Sequence, residues 1–287
     1  LFQQLYNMAD TFIVGRTIGV QALAAVGSTG SIVFLIIGFA TGLTAGLAIP
    51  LAQRFGAKDY KGVKHSFYVS ILISIAVAIA LTALSMIFCR QILEIMQTPS
   101  EIIDGAYDYL IVIFGGIFSS MAYNLLSNIF RSIGDAKTPL YFLVMACVMN
   151  IILDIVFIAV FGMGVEGAGY ATVLSQIFSA VACVVYIWKK IPVLRLTKED
   201  LVATKRNIRE HCRISFPMAF QASIIAIGTI MVQIALNQLG PTSVASHTAA
   251  QKIDQLAILP MMSFGVTMAT YSAQNFGAKK YDRIWLG

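Results

Sequence analysis

Charge is scarce in this chain: only 12% of its 287 residues are Asp, Glu, Lys or Arg, about half of what a soluble globular domain carries. With 58% hydrophobic residues and a mean hydropathy of +0.79, no aqueous fold has enough polar surface to cover it. Prolines number only 7, and the 22 glycines lie among runs of Ile, Val, Leu, Ala and Phe, which excludes disorder and collagen. Cys89, Cys147, Cys183 and Cys212 have the spacing of neither a metal site nor a disulfide framework. A glycine-rich phosphate loop is missing from the chain, which argues against ATP drive within it. No nucleophile–base arrangement supports an enzyme. Alternating apolar–polar strands are absent as well, so helices are the element expected to cross a membrane.

What is present is a series of long apolar runs. Leu1 to Val14 reads as the end of one span, and fuller runs follow at 31–52, 66–89, 109–130, 140–161, 168–188, 216–238 and 255–275. Each approaches the ~20 residues needed to cross a hydrocarbon core of ~30 Å. The expected fold is therefore an all-α polytopic membrane protein with seven complete spans and part of an eighth.

Of the 20 Lys and Arg, 17 fall in alternate loops: Arg54–Lys64, Arg131–Lys137, Lys189–Arg213 and Lys279–Arg283. Basic loops are retained in the cytoplasm, so this pattern predicts that these loops, together with the N-terminus, are cytoplasmic. The net charge of +6 is read as that bias and not as a nucleic-acid partner. Within the longest loop, Thr197 and Asp200 resemble a capping box opening a short helix, with Leu201, Ile208 and Cys212 on an apolar side at the membrane surface, while a linker between the two halves is the favoured reading.

The strongest feature is a repeat. AQRFGAKDY (Ala52–Tyr60) returns as AQNFGAKKY (Ala273–Tyr281), displaced by 221 residues and identical at seven of nine positions. The same offset places Gly19 on Gly240 and Ala24 on Ala245. Six spans fit into it, and an even number returns the chain to the same membrane face. The halves are therefore expected to be parallel repeats about an axis along the membrane normal, an arrangement that secondary transporters use. The reading divides the chain into a first lobe (1–188), a cytoplasmic inter-lobe loop (189–214) and the start of a second lobe (215–287). It implies a complete protein of roughly twelve spans, of which this chain is about two-thirds.

Ionisable groups inside spans are costly and mark function. Three carboxylates qualify: Asp10, Asp154 and Asp254. Asp10 shares a helical face with Gln3 and Tyr6, and Asp154 follows Asn150 by one turn. Thr172, with Ser175 and Gln176, lies on the next span. Such a carboxylate either takes a proton, because burial favours the neutral form, or binds a hard cation through oxygen ligands. Candidate cleft residues are Gln3, Tyr6, Asn124, Gln221 and Asp254.

YNMADTFIVGR (Tyr6–Arg16) and the two copies of the AQ-x-FGAK loop resemble the multidrug and toxic compound extrusion (MATE) family along the whole chain. The resemblance implies two six-helix lobes around a V-shaped cleft. It further implies a secondary active exporter that antiports drugs or organic cations against protons or sodium. Asp10, Asn150, Asp154 and Thr172 match the first-lobe cation site of the DinF-like branch, where binding is coupled to bending of the first helix. The implied setting is the plasma membrane, with no cofactor beyond the coupling ion, no enzymatic activity and a monomeric full-length protein. The acid that the NorM-like branch carries in its seventh helix is missing from FPMAFQASIIAIGTIMVQIAL. Alternatives are a lipid-linked saccharide flippase of the same superfamily, disfavoured by the lack of cationic side chains in the spans, and a membrane-embedded enzyme.

Overall fold

A run of Ala, Gly, Leu and Ile without a single carboxylate makes Val20–Gly56 one helix of 37 residues, α1. Such a helix is ~55 Å long, more than a ~30 Å hydrocarbon core requires, so its ends extend past the span. The structure, a computed structural model, describes residues 13–96, 98–238, 258, 260, 261 and 263–287. Gly19, with φ +119°, separates α1 from the helical residues 13–17. After α1, the Asp59 carboxylate accepts a hydrogen bond from the Gly62 amide (2.9 Å) and caps α2, Tyr60–Ile87.

A short α3, Cys89–Ile95, leads to α4, Ile103–Gly115, and α5, Ile117–Ser132, with a bend of 46° between these last two. Asp135 accepts hydrogen bonds from the Lys137 and Thr138 amides (3.2 and 3.0 Å) and starts α6, Lys137–Asp154. That helix continues as a π-helical turn, Ile155–Val160. Next come α7, Val165–Lys190, and α8, Lys205–Gln238, then a helical stretch at 263–277 and a last turn, Tyr281–Leu286. The described residues contain no strand.

Leu43, Leu47 and Leu51 recur every four residues along α1 and are fully buried. They belong to the same core as Phe114, Ile117, Ile129 and Phe130. Phe130 and Phe142 both pack edge-on against Tyr186, with centroids 5.9 Å away. Between helices the contacts are small and polar, as expected where lipid supplies no hydrophobic drive. The Ser70 hydroxyl donates to the Leu47 carbonyl (3.2 Å), Ser132 to Ala48 (3.2 Å) and Ser179 to Phe142 (3.3 Å). On the outer faces, Ile79, Leu84, Val148, Ile152, Val181 and Val184 are all more than half exposed. A surface of this kind suits hydrocarbon and not water.

Four helices are long and apolar enough to span a membrane: Ala22–Gly56, Tyr60–Ile87, Lys137–Val160 and Val165–Lys190. The bent pair α4–α5 makes a fifth if it crosses as one span. These five carry the apolar runs read from 31–52 to 168–188. The run at 216–238 lies in α8, and much of the run at 255–275 falls outside the described residues.

The loop at 189–214 departs from its reading. Its capping box forms: the Thr197 amide and hydroxyl both donate to Asp200 Oδ2 (2.9 and 2.7 Å). The helix it opens is a single 3-10 turn, Lys198–Asp200, which stops because Asp200 turns to the Lys64 ammonium (3.2 Å). Leu201 is exposed and non-helical, while Ile208 and Cys212 belong to α8. The second half of that loop is thus the first three turns of α8. His211, Ser215 and Ala219, four residues apart and fully buried, form its packed face.

Candidate functional site

The site is built on two neighbouring helices, α6 and α7. Asn150 and Asp154, one turn apart, are buried to 1% and 0% exposure, and Thr172 faces them from α7. The Asn150 side-chain amide donates to Thr172 Oγ1 (3.5 Å). Asn150 Oδ1, an acceptor, is buried and takes no hydrogen bond from any described residue. Asp154 stands where α6 passes into the π-helical turn. A π-turn inserts one extra residue per turn and redirects the side chains around it, a feature frequent at functional sites. The sequence placed Asn150 and Asp154 on one face. It carried no signal for the π-turn.

Below this pair, Ser175 donates to the Thr172 carbonyl (2.9 Å) and Ser179 to the Ser175 carbonyl (3.1 Å). A cavity of about 20 Å³ lies beside them, lined by Tyr123, Asn124, Leu143, Ala146, Ser175, Gln176 and Ser179. That is room for about one water molecule. Asn124, read as a cleft residue, faces this cavity and donates to the Ser120 carbonyl of its own helix (2.9 Å). Gln221 is exposed on α8 and does not line this cavity. Gln3, Tyr6, Asp10 and Asp254 lie outside the described residues.

At the opposite, basic end the repeated loops fold alike. The Ala57, Lys58 and Asp59 amides donate to the Gln53, Phe55 and Arg54 carbonyls (each 3.0 Å). The Ala278, Lys279 and Lys280 amides do the same to Gln274, Phe276 and Asn275 (3.0, 3.0 and 2.9 Å). Lys58 and Lys279 adopt left-handed backbones, φ +59° and +56°. Phe55 meets Tyr60 edge-on at 6.3 Å, and Phe276 meets Tyr281 edge-on at 5.8 Å. The repeat read from letters is therefore a repeat in backbone and ring geometry.

Sequence reasoning passed over Arg54, which joins three helices here. Its guanidinium donates to Ser66 Oγ (2.6 Å) and the Gly62 carbonyl (3.2 Å) of α2, and to Glu210 (2.9 Å) and Asn207 (3.5 Å) of α8. Beside it, His211 Nδ1 lies 2.8 Å from the Asn207 carbonyl, and burial holds the imidazole below its usual range. The two hydrogen bonds from Thr197, reinforced by Lys64, push Asp200 down to about 2. Together these contacts tie the segment 197–211 to α1 and α2.

The sequence model of the MatE family matches residues 1–156 and 217–285, the second range containing the second loop copy. A probable multidrug resistance protein of Bacillus subtilis, YpnP, is 29% identical over 288 residues, covering 98% of this chain and 63% of its own length. A probable multidrug resistance protein of Thermotoga maritima, NorM, is 27% identical over 290 residues, with coverages of 99% and 62%. Among solved structures, a MOP superfamily transporter from Pyrococcus furiosus superposes with a TM-score of 0.92 at 26% identity, covering 99% of this chain and 63% of that one. The chain thus spans under two-thirds of the length of these relatives. With its spans, its doubled loop and a family match over most of its length, the chain belongs to the MatE family.

Proposed function

We propose that the protein is a secondary active exporter of drugs or organic cations, antiporting them against protons or sodium across the plasma membrane. The observation that carries this reading is the buried set Asn150, Asp154 and Thr172 in an otherwise apolar helix pair, with Asn150 Oδ1 left to accept. A proton or a hard cation is a partner that such a set can take, since burial favours the neutral form of a carboxylate and oxygen ligands suit a hard cation. Asp10 is proposed to join it, with Gln3, Tyr6, Asn124, Gln221 and Asp254 along the substrate cleft. The lobes are 1–188 and 215 onward, and the basic loops, including 189–213, face the cytoplasm.

Antiport follows if cation and drug favour opposite states of the two lobes, because each ligand shifts the population only by its differential affinity. The protein then needs neither a cofactor nor a catalytic set, and a single chain suffices as the monomeric unit. The test is export of a fluorescent organic cation by the full-length protein in everted membrane vesicles. With the proton and the sodium gradients collapsed separately, loss of the coupling ion's gradient is expected to stop uptake and loss of the other to leave it running. Uptake that persists with both gradients collapsed, or that requires ATP hydrolysis, would overturn the proposal.

A further inference from the structure

The two copies of the repeated loop touch each other. A methyl group added to Gly56 would run into the carbonyl of Gln274 and come within 2.8 Å of its Cα. One added to Gly277 would run into the carbonyl of Gln53 and come within 2.9 Å of its Cα. Gln53 and Gln274 are themselves equivalent under the displacement of 221 residues, as are Gly56 and Gly277. The contact is therefore reciprocal: the glycine of each copy seats on the backbone of the other, as across a two-fold axis. Glycine is not there for the turn, because the left-handed positions of these turns are Lys58 and Lys279. What the two glycines supply is close approach of backbone to backbone.

The contact closes one end of a longer seam. Gln274 Nε2 donates to the Ser132 carbonyl of α5 (2.7 Å). Further along α1, a methyl group on Gly46 would lie 2.5 Å from Ser215 Cα, and one on Gly42 would lie 2.5 Å from the Met218 carbonyl, both on α8. The seam includes the edge-on pair Phe39–Phe220 (5.6 Å). Gly38, Gly30 and Gly27 have nothing described within 4 Å, and Ile224 and Ile225 of α8 are exposed. A cavity of about 120 Å³, open on one side, lies along this seam, walled by Ala48, Ala52, Asn128 and Ser132 and, across from them, by Val266 and Thr270.

We propose that the Gly56–Gly277 pair is the gate at the basic end of the protein, a contact made when that end is closed and broken when it opens. It rests on the alternating-access reading above. It is independent of which residue binds the coupling ion. Because the contact is isologous, one rigid rotation of the lobes breaks both halves together, which makes closure all-or-none.

The experiment uses full-length protein with its native cysteines replaced and Thr270→Cys, half-buried in the wall of that cavity, as the reporter. An impermeant maleimide is added from the cytoplasmic side. Gly56→Ala and Gly277→Ala are each expected to raise the labelling rate roughly tenfold and to reduce export to background, because a methyl against backbone holds the lobes apart. Gly30→Ala, on the same helix with free space around it, is expected to change neither. Gln274→Met, which removes the bond to Ser132 and inserts no clash, is expected to raise labelling several-fold. Should Gly56→Ala fail to reach the membrane, Gln274→Met decides. Wild-type labelling or normal export by Gly56→Ala, or wild-type labelling by Gln274→Met, overturns the gate. Uphill export by Asp154→Asn would sink the coupling proposal and leave these labelling results standing.

Discussion

Replacing Arg54 by Met keeps most of the stem and removes the guanidinium, and the structure allows its cost to be divided. Toward α2, the bonds to Ser66 Oγ and the Gly62 carbonyl are made in a buried setting: Ser66 is at 0% exposure. Losing them leaves polar groups of α2 without their donor, at about 1 kcal/mol each. Toward α8, the partner Glu210 has a side chain 41% exposed, so solvent screening reduces that ion pair to about 0.5 kcal/mol. The expected total is about 2.5 kcal/mol. At about 2 °C per kcal/mol for a chain of this size, Arg54→Met lowers the melting temperature by about 5 °C. Glu210→Gln keeps the shape of the α8 contact and lowers it by only about 1 °C on the same scale. The assay is thermal unfolding of detergent-solubilised protein, followed by fluorescence-detected size exclusion, for both single variants and the double variant. Equal losses from Arg54→Met and Glu210→Gln would refute the division, as would an Arg54→Met variant as stable as the wild type.

Gly116→Ala, which places a methyl against Val173, is expected to cost about 1–3 kcal/mol by overpacking and to lower the yield of monodisperse protein. Gly115→Ala, with nothing described within 4 Å, is the tolerated neighbour, and equal yields would contradict the packing at the bend. His211 gives a pH dependence of known sign. Burial, with Arg54 adding to it and the Asn207 carbonyl and Glu210 opposing, places its folded pKa below the unfolded value. Its contribution is therefore complete above about pH 6.5 and is lost as pH falls below that. Melting temperatures at pH 7.5 and 5.0 are expected to diverge for the wild type and to diverge less for His211→Phe; equal slopes would remove His211 as the cause. Asp200→Ala frees the turn at 197–200 from its bonds to Lys64 and Thr197, and trypsin is expected to cut at Lys198 several-fold faster, as exposed unpinned segments are preferred. An unchanged cleavage rate would contradict that tie.

Much of this architecture was legible because lipid imposes a coarse code. A run such as 168–188 has to be a helix, since its backbone can be satisfied in no other way, and α7 covers it. Asn150 and Asp154 share a face because helical spacing requires it. Their meeting with Thr172, 22 residues on from Asn150, is a matter of how α6 and α7 pack, which spacing alone does not encode. The bend at Gly116 was hidden in the run 109–130, because hydrophobicity reports the solvent around a helix and not its direction. The first turns of α8 were hidden too. Lys205, Arg206, Arg209 and Arg213 read as a solvated loop, while the face that packs is the sparse set His211, Ser215 and Ala219. The close contact of Gly56 with Gln274 is a tertiary event between positions more than two hundred residues apart. Only the repeat hinted at it.

The central claim is that Asp154 carries the coupling cation, and the Asp154→Asn variant tests it most directly. The amide keeps the shape and the hydrogen-bonding capacity of the carboxyl and cannot change charge. A potential of 100 mV contributes about 2.3 kcal/mol per ion and takes back the same for each monovalent organic cation exported, so two ions per cycle leave enough for a drug gradient of more than tenfold at about 1.4 kcal/mol per decade. Steady-state accumulation of an organic cation in everted vesicles, measured for full-length wild-type and Asp154→Asn protein at equal abundance, reads that work. The account predicts that the wild type accumulates drug against its gradient, while the variant binds drug and reaches no more than equal concentrations on the two sides. Accumulation by Asp154→Asn to the wild-type ratio would contradict the account.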